Sequence, residues 1–78
     1  MKDLKIHYKK NSRQIIITYS IINRKEDKRI CMHIFGIALD NKLSITTYVD
    51  DFETRCFILK GKNTEQLEKT YKHIEKLK

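Results

Sequence analysis

The chain has 78 residues, with 17 Lys and Arg against 10 Asp and Glu, for a formal net charge of +7 at pH 7. That length holds one domain, residues 1–78, whose core is small enough that a second subunit or a bound partner would add usefully to its stability. No apolar stretch approaches the roughly 20 residues that span a bilayer, two cysteines are too few for a disulfide framework, and an apolar fraction of 40% opposes disorder despite 35% charged residues. The expectation is a cytoplasmic protein with free thiols and no membrane association, its opening residues leading straight into folded sequence.

Leu4, Ile6 and Tyr8 alternate with Lys5, His7 and Lys9, the period-two pattern of a strand with one wet face. Lys10 to Arg13 reads as a tight turn, and Gln14 to Ile22 as a β-branched second strand with large residues on both faces. Asn23 to Lys28 is wholly polar and reads as a connection. Arg29 to Leu39 then reads as a third strand, with Ile30, Met32 and Ile34 on one face and Cys31, His33, Phe35 and Ile37 on the other. Asp40 to Lys42 turns the chain into a fourth strand, Leu43 to Val49. Asp50, Asp51 and Phe52 turn it again into a fifth, Glu53 to Lys60.

Gly61 breaks the pattern, and Asn63 with Gln66 three residues later caps a helix that runs to the end. Its apolar stripe is Leu67, Tyr71, Ile74 and Leu77, and Glu65 with Lys69 and Glu68 with Lys72 are favourable pairs one turn apart. The predicted fold is α+β: an antiparallel five-stranded β-meander followed by one C-terminal α-helix packed on one face of the sheet. One helix, about 10 Å across, cannot cover both faces of a sheet roughly 24 Å wide. The uncovered apolar face predicts a homodimer through the open sheet face, or a strongly curled sheet.

In a meander, alternate turns share an end of the sheet. Lys9, Lys10, Arg13, Lys42, Lys60 and Lys62 therefore gather at one end, opposed only by Asp40, while the other end mixes Arg24, Lys25, Lys28 and Arg29 with Glu26, Asp27, Asp50, Asp51 and Glu53. A patch of one sign attracts nucleic-acid phosphates through counterion release, although lysines at turns also keep small domains soluble. Among the strand aromatics, Tyr19, Phe35, Phe57 and Tyr48 fit a core as well as a stacking surface. Tyr8, flanked by His7, Lys9 and Lys10, is the one expected to reach an unpaired base.

No catalytic or cofactor motif is present, and Cys31, His33 and Cys56 lack the paired spacing of a structural zinc site. The leading expectation is a non-enzymatic protein that engages single-stranded or structured nucleic acid through Lys9, Lys10, Arg13, Lys42, Lys60, Lys62, Tyr8 and His7, with no catalytic residue, metal or cofactor. The alternatives are an interaction module or inhibitor, as of a phage or mobile element, docking on an acidic protein surface, and a small metal-independent ribonuclease using His7 beside Lys9, Lys10 and Arg13.

Overall fold

The computed structural model describes residues 3–77. In chain order they form β1 (Lys5–Lys9), β2 (Gln14–Ser20), α1 (Arg24–Asp40), β3 (Ser44–Val49), β4 (Thr54–Lys60) and α2 (Thr64–Glu75). The fold is thus a single α+β domain with four strands and two helices, which corrects the expected five-stranded meander with one helix. The error lies in one segment. Arg29 to Leu39 is the body of α1, and the polar Asn23 to Lys28 is its cap and first turns rather than a loop.

Both ends of α1 explain why this segment is helical. The Asn23 side chain accepts a hydrogen bond from the Glu26 backbone N–H at 2.8 Å, and Glu26 and Asp27 place negative charge in the first turn. Ile30, Ile34 and Ala38, spaced four apart, form its buried stripe. At the far end Leu43 N–H bonds the Ala38 carbonyl at 2.9 Å and Lys42 N–H bonds the Leu39 carbonyl at 3.0 Å. This is a Schellman closure, and it requires Lys42 to adopt φ 58°, where glycine is usual.

The strands form one antiparallel sheet in the order β1-β2-β4-β3. Ile6 and Tyr8, Ile15, Ile17 and Tyr19, Phe57 and Leu59, and Ile45 share one face by register. Ile30, Ile34, Leu67 and Ile74 of the helices complete the core against it. Four strands at about 4.8 Å make a sheet roughly 19 Å wide, which two helices of about 10 Å cover on one side. Gly61 packs closely: a Cβ there would sit 2.5 Å from Leu43 Cδ2, so the buried Leu43 side chain would have to shift.

An approximate two-fold relates the halves. β1-β2-α1 and β3-β4-α2 are each a hairpin followed by a helix, displaced by 40 positions from Asn23 to Asn63, both of which cap helices. Ile17 pairs with Phe57, its own equivalent, at the centre of the β2-β4 seam. The cross-links obey the same symmetry: Ile21 N–H bonds the Glu53 carbonyl at 2.9 Å, and Gly61 N–H bonds the Arg13 carbonyl at 3.3 Å. Arg13 and Glu53, equivalent hairpin residues, both have positive φ, at 54° and 57°.

Candidate basic binding surface

Replacing a strand by a helix leaves the ends of the sheet unchanged, because α1 carries the chain back across the sheet as a strand would. Lys9, Gln14, Lys60 and Ser44 are successive partners across all four strands, so they form one row at one end of the open face. Lys10 and Arg13 occupy the hairpin turn beyond that row, Lys42 precedes β3, and Lys62 follows β4. A shallow groove lined by Lys42, Ser44, Lys60, Gly61, Lys62 and Gln66 runs between β3 and the start of α2. The six cations therefore share one end of the molecule.

The helices modify this end in a way the sequence did not show. Glu65 and Glu68 of α2 join Asp40 there, and Lys10 Nζ meets Glu68 Oε1 at 3.7 Å. The carboxyl end of α1 and the amino end of α2 are side by side, so their dipoles largely offset. Positive charge consequently dominates on the open-sheet side. That face presents Lys5, His7, Lys9 and Lys60 from the strands and, among the described strand residues, no carboxylate.

His7 lies on this open face, exposed, one pair inward from Lys9 and opposite Ile16. Tyr8 does not join it. It points to the core face, half-buried, with its ring 5.8 Å from that of Tyr71. Tyr48, paired with Cys56 and 51% exposed, is the aromatic side chain that the open face presents. Alternation alone identifies it, since Tyr48 shares its face with Ser44 and Thr46.

His33 and His73 sit on α1 and α2, across the sheet from His7. Cys31 is on α1 above the core face while Cys56 is on the open face, and both thiols are free. Among the described residues no three metal-ligating side chains converge, and no helix is long and apolar enough to cross a membrane.

A second polar cluster escaped the sequence reading because it depends on α1 being a helix. Asp27 of α1 meets Arg55 of β4 through Nη2–Oδ2 at 2.8 Å and Nε–Oδ1 at 3.2 Å, and accepts the Tyr19 hydroxyl at 2.7 Å. Arg55 also donates to Thr47 Oγ1 at 3.3 Å. The guanidinium holds the Asp27 carboxyl below the usual carboxylate range, against the opposing effect of burial. Burial first, then the bonds to Cys31 and Asp27, push the Tyr19 hydroxyl far above the ordinary phenol range. These groups satisfy one another, and the cluster clasps α1 to the sheet.

Compared with known proteins, the chain matches no family model, no curated protein and no solved structure.

Proposed function

We propose that the protein is a non-enzymatic binder of nucleic acid, which it meets through the cations at the near end of the sheet and the adjoining open face. The observation that carries this reading is a difference between two equivalent ends. The approximate two-fold brings the β1-β2 turn, with Lys10 and Arg13, onto the β3-β4 turn, with Asp50, Asp51 and Glu53, and Lys62 onto Ile22. Equivalent hairpin turns, each ending in a residue with positive φ, are therefore built once with basic and once with acidic residues. Turn geometry and solubility demand no particular sign, so the concentration of cations at one end is a property that the fold itself does not require.

Single strands suit the surface better than duplex. Lys9 and Lys60 are two strands apart, about 10 Å by strand spacing, and the open face inward of their row bears Ile16, Ile58 and, on the outer strand β3, Tyr48, on which unpaired bases could lie. Neither helix presents a basic face free of acids: Glu65, Glu68 and Glu75 interrupt the lysines of α2.

Fluorescence anisotropy with single-stranded and duplex RNA and DNA, at two salt concentrations, tests the proposal. Binding should weaken with salt by roughly 0.7 log units per log unit for each phosphate contacted on a single strand. Lys9→Glu with Lys60→Glu should abolish it, whereas Lys25→Glu at the opposite end should not. Absence of binding at low salt, or indifference to the paired reversal, refutes nucleic acid as the partner. Retained cleavage of RNA that is lost in His7→Ala would instead identify a ribonuclease.

A further inference from the structure

We infer that the β3 edge and the adjoining flank of α1 form a two-fold interface with a second copy of this chain, joining two sheets edge to edge. The two halves of the molecule serve as controls for one another. Edge strand β1 presents Lys5, His7 and Lys9 on the open face, the charge that commonly blunts an edge, whereas β3 presents Ser44, Thr46 and Tyr48 there. β3 has no charged residue, and among the described strands it pairs with β4 alone.

The helices repeat the contrast. α1 packs against β3 and α2 against β1 and β2, so each helix has one flank overhanging an edge of the sheet. On α1, Ile30 and His33 border Leu77 beyond α2. The opposite flank carries Met32, Phe35 and Leu39, of which Met32 is 67% and Leu39 65% exposed. Gly36 lies beside them with open space where a side chain would stand. Lys72, Glu75 and Lys76 are the equivalents of Met32, Phe35 and Gly36 on α2. One edge of the molecule is finished for water, and the other combines an unpaired strand with an apolar helix flank.

The charges beside β3 select a second copy as the occupant. Lys42 precedes the strand and Asp50 and Asp51 follow it. Antiparallel pairing of two β3 strands about a two-fold therefore brings each Lys42 toward the partner's acidic turn. The same operation sets the two α1 helices side by side: seated over β3 and β4, with strands about 4.8 Å apart, their axes would be about 10 Å apart, at the limit of ordinary helix packing. It also directs the two basic ends oppositely, which limits repulsion between molecules of charge +7. The open faces end on one side of a continuous eight-stranded sheet.

Sedimentation equilibrium and hydrogen exchange on the intact chain test this. The wild type should have twice the monomer mass, and concentration should protect β3 amides that do not bond to β4. Thr46→Lys on the strand and Leu39→Lys on the helix should each give monomers with unchanged circular dichroism, whereas Ile16→Lys on the open face should remain dimeric. A monomeric wild type overturns the inference. So does a dimer that survives the first two changes and dissociates with Ile16→Lys, because that result would locate the contact on the open face.

Discussion

Arg13 and Lys42 are long cationic residues held in a backbone conformation that suits glycine. Each left-handed placement costs an L-residue about 1 kcal/mol, so Arg13→Gly and Lys42→Gly should raise stability by up to that amount in urea denaturation. Both changes also remove charge from the basic end, and nucleic-acid affinity should fall as stability rises. A parallel fall of both quantities would show that these residues serve the fold. Asp27 has the opposite character. Its side chain and that of Arg55 are 14% and 19% exposed, and Asp27→Ala leaves the guanidinium without its carboxylate, at a cost of about 3 kcal/mol. Because pairing lowers the folded-state pKa, the Asp27 contribution is complete above the unfolded carboxylate pKa, about 3.9, and is lost as pH falls through the lower folded value. The stability gap between wild type and Asp27→Asn should narrow across that acidic window.

At the scale of elements, the two asparagine caps show how much structure the sequence displays. Asn63 followed by Gln66 announces α2, and Asn23 followed by Glu26 is the same signal for α1. The second signal is obscured by the run that follows it, because Ile30 to Leu39 is apolar at so many positions that period two fits as readily as period 3.6. The buried stripe at Ile30, Ile34 and Ala38 emerges only when the sheet supplies one face to pack against. Asn23→Ala and Asn63→Ala should each cost about 1 kcal/mol in thermal or urea denaturation. The basic row at Lys9 and Lys60 survives the misreading because a helix and a strand both return the chain to the same end. Tyr8 fails as a stacking residue because its alternation with Lys9 assigns it to the core face. The internal repeat escapes notice altogether, since equivalent turns carry opposite charges and few positions besides Asn23 and Asn63 are identical.

For the whole molecule, the approximate two-fold preserves the arrangement of elements while inverting the charge of the hairpin turns, and association kinetics are where that inversion should be measured. Stopped-flow binding to a single-stranded oligonucleotide should show the association rate falling with salt more steeply than the dissociation rate rises. Lys10→Asp with Arg13→Glu, which gives both hairpin turns the same sign, should lower the association rate most. An unchanged rate would show that the turn is not the point of encounter. The far end mixes its acids with Arg24, Lys25, Lys28 and Arg29, so the net positive charge is concentrated toward one end of the strands. The seven residues of β2 separate the two ends by about 20 Å, more than twice the screening length at physiological salt, about 8 Å. On the proposed function, a polyanion would feel one end at a time, and the field of the basic end would favour the docking orientation before any side chain makes contact.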